Sequence, residues 1–462
     1  MYNPFDGLQC GLAAIDVAAA SQAGVAALQA RQQRRLAELL AAAAQGSRRY
    51  RALLKGRSAG AWRLQDLPVA HKAELMADFD GWVCDPALRL PDLRDFTRDA
   101  ARIGQAYLGR YTVWESSGSS GVPGLFVQDA RAMAVYDALE ALRRPVLRPL
   151  QRLLDPFFLG ERIAFVGAID GHFASTVSIQ RLRHLAPLLA PRVSLLSFLQ
   201  PLPDLLEQLQ AADPTILATY PTAAALLARE QLAGRLDIAP KECWTGGETL
   251  SPAMRSLVQR AFGCPLANSY GASEFLALAS ECPWGGLHLN SDWALLEAVD
   301  ETGRPLPAGV PGASCLLTNL ANHVQPLIRY DLGDRVTFGT RACACGSGLP
   351  LIAVEGRCDD LISLGAAGGP SVQLLPLALC TVLEESAGLF DFQLRQEGAD
   401  ALLLSTPLRG EAGAAALARA RPALLAFLAG QGAQGVRLRC ESGVTVEPGR
   451  SGKLQRIVGL NS

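Results

Sequence analysis

The sequence predicts an α/β protein with a large N-terminal domain of mixed, largely parallel sheets and flanking helices, followed by a small C-terminal α+β domain. Three observations lead there. Segments of strand and helix character alternate between residues 162 and 262, the pattern of parallel strands joined by crossover helices. Beyond residue 360 the texture changes to short strands around one alanine-rich helix. At 462 residues the chain is also too long for one simple core.

The elements follow in order. Residues 9 to 56 are rich in alanine, leucine, glutamine and arginine, with Leu36, Leu39, Leu40, Tyr50 and Leu53 at helical spacing. A second helix is expected over Ala130–Arg143, ended by Pro145. Arg162–Gly167 reads as a buried strand that runs into Asp170-Gly171-His172-Phe173. Ligands collect at strand ends in such chains, so His172 and Phe173 are candidates to touch substrate; the alternative for His172 is an ordinary loop histidine. Helix Leu202–Ala211, strand Thr215–Thr219, helix Thr222–Leu232 and strand Glu242–Thr245 come next, the last leading into Gly246-Gly247-Glu248-Thr249. Ser251 is placed as the N-cap of a helix to Phe262, with Pro252 at its first position. In the C-terminal part, strands are expected over 390–396, 401–405 and 436–440, with a helix over Ala414–Leu428 that Pro422 interrupts.

Composition limits the function classes. Lys+Arg 43 against Asp+Glu 44 leaves nothing to attract nucleic acid or an anionic membrane. The N-terminus lacks the basic start of a secretory signal, and the most apolar run, Leu185–Leu209, is broken by four prolines and by Arg192, Asp204 and Glu207. The expected location is the cytoplasm, where eleven scattered cysteines are reduced thiols or metal ligands rather than disulfides.

The stretch Tyr111–Gln128 carries the first chemical signal. Two extended runs flank Ser116-Ser117-Gly118-Ser119-Ser120-Gly121. Successive backbone N–H groups in a glycine-rich turn form a concavity for phosphate oxygens, and the hydroxyls add donors. Taken alone the segment is equally a Ser/Gly hairpin turn. It is not a P-loop, because Val122 stands where lysine would follow the glycine.

Downstream come Tyr270-Gly271-Ala272-Ser273-Glu274, Asp331-Leu332-Gly333-Asp334, Gly356-Arg357-Cys358-Asp359-Asp360 and Ser451-Gly452-Lys453. In this order, together with the Ser/Gly loop, they resemble the signature series of the adenylate-forming superfamily of acyl-CoA synthetases, adenylation domains and luciferases. The opening, with Gly46–Arg51, Asp66-Leu67-Pro68 and Lys72-Ala73-Glu74-Leu75, resembles the phenylacetate–CoA ligase branch; read by itself it is a helical cap without chemistry.

The resemblance implies ATP-dependent activation of a small, aromatic or similar carboxylic acid, followed by transfer to a thiol, most simply that of coenzyme A. It assigns ATP binding to residues 116–121, Gly247, Glu248, Tyr270 against adenine, Gly271, Asp334 on the ribose hydroxyls, and Arg357. Ser273 falls on phosphate and Glu274 on Mg²⁺, which takes hard oxygen ligands. Ser269 and Ala272 fall at the acid, beside His172 and Phe173. Asp359 becomes the pivot between domains 1–357 and 358–462, and Lys453, on the mobile C-terminal lid, contacts carboxylate and α-phosphate during adenylation.

Cys282, His288, Cys343 and Cys345 form a candidate zinc set. Zinc favours four tetrahedral sulfur and nitrogen ligands, and a fully ligated site is structural; reduced structural cysteines are the alternative. Some members of the phenylacetate–CoA ligase branch resemble this pattern.

The chain also departs from the series. Val122 and Gly124 occupy the places where the phosphate loop carries lysine, which leaves another cation such as Arg110 to compensate, and Asp331 replaces the arginine of the Y-R-x-G-D motif. Transfer to a carrier-protein phosphopantetheine or to an amine, and a nucleotide-binding member without chemistry, are the rival readings; a homodimer is compatible with all of them.

Overall fold

The structure is a computed structural model that describes residues 6–55, 64–116, 124–355, 362–365, 371–389, 391–444 and 456–460. Its centre is a nine-stranded mixed sheet. Five neighbouring strands, Val193–Ser197, Ile163–Gly167, Ile216–Thr219, Glu242–Gly246 and Leu266–Ala272, are parallel. Four more, Phe275–Glu281, Leu287–Leu289, Leu351–Glu355 and Arg335–Phe338, continue it antiparallel.

Period-2 alternation decides which face each side chain takes. Ala164, Val166, Leu217, Cys243 and Leu266 point to one face, where helices Leu202–Ala212, Pro221–Leu232 and Pro252–Phe262 cover them. Ser251 caps the last of these, its hydroxyl accepting from the Met254 N–H at 3.1 Å, with Pro252 at the first position as expected. Phe165, Ala218, Trp244 and Ala267 point to the other face and line a cleft.

A second core unites the N-terminal helices Gly7–Ser21, Val25–Gly46 and Arg48–Leu53 with helix Ala130–Arg143, the hairpin Thr112–Glu115/Leu125–Gln128 and the three-stranded antiparallel sheet Ala294–Val299, Ser314–Asn319, Tyr330–Asp331. The predicted single helical region over 9–56 is thus three helices, divided at Gln22–Gly24 and at Ser47, which caps the third through the Tyr50 N–H at 3.3 Å.

The C-terminal part has its own core around a four-stranded sheet ordered Arg437–Ser442, Ala401–Thr406, Gln393–Gly398, Ile457–Val458. Helix Gly410–Gly430 packs on it and runs straight through Pro422, contrary to the expected interruption. Burial of Leu417, Ala420, Leu424 and Leu428 against the sheet outweighs one lost backbone hydrogen bond. Among the described residues this helix is the one long and apolar enough to cross a bilayer, a property missed by the reading of Leu185–Leu209; its buried stripe is that of a core helix.

Candidate active site

The cleft occupies about 2570 Å³ on the open face of the parallel strands. At the strands' carboxyl ends it gathers Ser116, Gly247, Glu248, Ser269, Tyr270, Gly271, Ala272, Ser273, Glu274 and Asp334. These residues lie 218 positions apart in sequence at the extremes, and the fold brings them together because each sits at a strand end or in a hairpin beside it.

The motif around Tyr270 is part of a hairpin rather than a loop. Leu266–Ala272 pairs antiparallel with Phe275–Glu281, with an irregularity between Tyr270 and Ala272. Gly271 sits at that bulge, where an added Cβ would lie 1.9 Å from the Leu276 carbonyl oxygen, so only glycine fits. The bulge aims Tyr270 and Glu274 into the cleft. The Tyr270 hydroxyl donates to Asp334 Oδ2 at 2.8 Å, and the Tyr330 hydroxyl donates to Glu274 Oε1 at 2.8 Å. The backbone is fixed as well: Trp114 Nε1 donates to the Ser273 carbonyl at 2.7 Å and Asn319 Nδ2 to the Glu274 carbonyl at 2.9 Å.

Glu274 is buried. Desolvation raises its carboxyl above the ordinary glutamate range, against the opposing pull of Lys72 and the Tyr330 hydroxyl. A carboxylate in a cleft whose hydrogen-bond donor is a neutral hydroxyl keeps its charge for a cation, and that donor set fits Mg²⁺ beside nucleotide phosphates.

Lys72 is the residue that sequence reasoning passed over as part of a helical cap. It opens helix Lys72–Ala77, lines the cleft, and places Nζ 3.5 Å from Ser116 Oγ. The preceding segment is clamped to the strand that carries Tyr330: the Ala70 N–H donates to the Arg329 carbonyl, and the Asp331 N–H donates to the Ala70 carbonyl, both at 3.0 Å. The available signal was the missing loop lysine, which demands a cation from elsewhere. Arg110 does not supply it, because its guanidinium pairs with Asp85 at 2.6 Å.

The Ser/Gly loop begins where expected, between antiparallel strands, and is closed by Ser116 N–H to Gly124 O at 2.8 Å and Gly124 N–H to Ser116 Oγ at 2.9 Å. Ser117, Gly118, Ser119, Ser120, Gly121, Arg357, Asp359 and Lys453 lie outside the described residues, as does the 357/358 domain boundary. Gly247 has a positive φ of 79° and a close approach to the Tyr220 ring. Glu248 lines the cleft while its carboxylate caps helix Pro221–Leu232, accepting from the Thr222 N–H at 2.9 Å and from its hydroxyl at 2.8 Å. Asp331 accepts from Gly333 N–H at 2.9 Å, a turn role rather than that of the arginine it replaces.

Of the two strand-end candidates for the acid, Phe173 lines the cleft and His172 does not. His172 is turned into the interior against Phe96, ring centroids 5.6 Å apart. Burial lowers its pKa, partly offset by backbone groups of Arg102 and Thr97. Consecutive strand-like residues point to opposite sides, so one of the pair had to face away.

Cys282, His288, Cys343 and Cys345 converge, with their ligand atoms all within 4.8 Å of one another. Cys282 Sγ and Cys343 Sγ are 3.7 Å apart, against the roughly 3.8 Å between sulfurs on a tetrahedral zinc with bonds of ~2.3 Å. Cys345 Sγ lies 3.3 Å from His288 Nε2, while His288 Nδ1 is 2.9 Å from the Leu349 carbonyl, which fixes the tautomer that leaves Nε2 as a ligand. The Cys345 backbone N–H, followed by the His288 ring, pulls the Cys343 thiol down to about 6. The donor set fits zinc.

The chain has the fold of a CoA ligase of known structure. In particular, it is similar to 2-hydroxyisobutyryl-CoA ligase in complex with 2-HIB-AMP and CoA in the thioesterification state, with TM-score 0.58 and 20% identity over 95% of this chain and 91% of that one. An open conformation of the same ligase, also with 2-HIB-AMP and CoA, gives TM-score 0.52 and 20% identity over 92% and 90% of the two chains. In sequence, a 133-residue stretch is 27% identical to Protein CapK of Staphylococcus aureus, a match that spans 28% of either chain. No protein-family model matches.

Proposed function

We propose that this chain activates a carboxylic acid with ATP as the acyl-adenylate and passes the acyl group to a thiol, that of coenzyme A. The observation that carries this reading is the convergence of Lys72, Ser116 and buried Glu274 beside the Tyr270–Asp334 pair on one cleft. The Tyr270 ring offers a face to adenine, and Asp334 offers carboxylate oxygens to the ribose hydroxyls. Lys72 and the N–H groups of the Ser/Gly loop take the phosphates. Glu274 would hold Mg²⁺, which supplies charge neutralisation at the phosphates.

The acid's carboxylate oxygen attacks the α-phosphorus and pyrophosphate leaves with the bonding pair. The thiol sulfur, having lost its proton, then attacks the acyl carbon and expels AMP. Lys453 carries the resemblance-based role at the carboxylate. An aromatic or similar small acid follows from the N-terminal likeness to the phenylacetate–CoA ligase branch, and the wall formed by Phe165, Phe173 and Tyr220 suits such a group. Pyrophosphate exchange into ATP with a panel of aryl, heteroaryl and aliphatic acids is the test. Exchange that depends on the acid and collapses in Lys453→Ala supports the reading, and its absence with every acid despite ATP binding refutes it. Thioester formation on adding coenzyme A tests the acceptor.

The Cys₃His set is proposed as a structural zinc site that pins the 343–345 turn to strand Leu287–Leu289. One zinc per chain is expected by metal analysis, and Cys343→Ser should lose it and lower Tm by several degrees. Metal-free protein that melts at the same temperature as the native preparation would refute the assignment.

A further inference from the structure

The segment 142–160 is amphipathic in the wrong sense for a monomer. Its charged groups face the protein and its large apolar groups face water. Arg148 pairs with Glu242 at 2.6 Å and with Glu161 at 2.8 Å, both of these glutamates being buried beneath it. Arg152 donates to the Asp155 carbonyl at 2.8 Å and lies over the Phe158 ring. Arg143 pairs with Asp292 at 2.6 Å, Arg144 with Glu140, and the Asp155 carboxylate accepts from the N–H groups of Leu159 and Gly160. Anchored in this way, the segment turns Leu150, Leu153, Leu154 and Phe157 outward at 80, 78, 82 and 73% exposure, and Leu188, which lines the cleft, is exposed at 77%. Leu142, Val146, Leu159 and Leu182 are exposed at 40–53%, and these four line the cleft together with Phe157 and Leu188.

We infer that this face is the two-fold interface of a homodimer. Nine large apolar side chains stand exposed here, five of them by 73% or more, whereas exposed apolar residues on an ordinary monomer are mostly scattered singly and clustered ones mark an interaction surface. Charge selects the occupant. A lipid surface would be met by basic side chains on the rim, and the arginines here are spent on internal carboxylates. A face that is neutral and apolar can meet its own copy without bringing like charges together, as an isologous contact requires. The inference does not depend on the reaction proposed above.

Sedimentation equilibrium of the full chain, wild type and Leu153→Glu and Leu154→Glu, is the test. The expected result is a wild-type species of twice the chain mass. Each variant, which changes two places in a symmetric contact, should weaken association by at least about 100-fold with an unchanged circular dichroism spectrum. Hydroxyl-radical footprinting of the wild type alone gives an independent reading: Leu150–Phe157 should gain protection as protein concentration rises. A wild type that stays monomeric at tens of micromolar on the scale of ordinary dimers, variants that remain dimeric, or a monomer that sediments with phosphatidylcholine–phosphatidylglycerol vesicles would each overturn the inference.

Discussion

Replacing Glu274 by glutamine should lower acid-dependent pyrophosphate exchange by at least about 100-fold and, at pH 8, leave the protein as stable as the wild type or more so. The two effects share one cause. Burial raises the Glu274 carboxyl above its ordinary range. Between the unfolded and the raised folded pKa, the native state holds a proton that the unfolded chain has released. Stability therefore falls as pH rises through that window, and the full penalty applies above it. Glutamine removes the charge, keeps a carbonyl oxygen to accept from the Tyr330 hydroxyl, and relieves the desolvation penalty, which the lost attraction to Lys72 offsets only in part. The same loss of charge leaves only a neutral, weaker ligand for a divalent cation. Tm at pH 5 and pH 8, measured beside exchange, checks both arms. A variant that retains exchange would remove Glu274 from the site.

Lys72→Met should raise KM for ATP and lower kcat/KM by about 100-fold or more, as removal of a charge that stabilises transferring phosphates does. The fold should survive, because Lys72 is half-exposed at the first position of a short helix and its stem is not in the core. Arg110→Ala is the paired control. Arg110 is committed to Asp85, so its loss should change exchange less than about two-fold. Unchanged KM for ATP in Lys72→Met together with a collapse in Arg110→Ala would reverse the assignment of the site's cation.

These two residues show what was legible in the sequence. Glu274 stood inside an ordered series of motifs, and the alternation of strands and helices from 162 to 262 led to Gly247, Glu248 and the Tyr270 segment, which the structure places on the cleft. Lys72 was visible as part of a motif, but its function arises from a pairing across more than 250 residues, Ala70 against Tyr330, which no local pattern encodes. His172 illustrates the opposite error. Its position beside Phe173 suggested a shared role, whereas backbone alternation sent the two rings to opposite sides. The helix through Pro422 was divided on propensity, and tertiary burial overrode it.

The N-terminal helices are held by the far middle of the chain. Gln32 donates to the Ser291 carbonyl at 2.5 Å, and Arg35 reaches Asp292, 257 residues later. Trp82 Nε1 donates to the Pro326 carbonyl at 2.6 Å, and the Arg329 guanidinium to the Leu67 carbonyl at 2.7 Å. During synthesis at ~5–20 residues per second, these helices leave the ribosome on the order of 10–50 s before their partners exist. For that interval helix Gly7–Ser21 can pack on helix Ala130–Arg143, which is made earlier, while the contacts to residues 291–329 are still missing. Lys72, positioned by the same late contacts, is among the last parts of the cleft to be set in place.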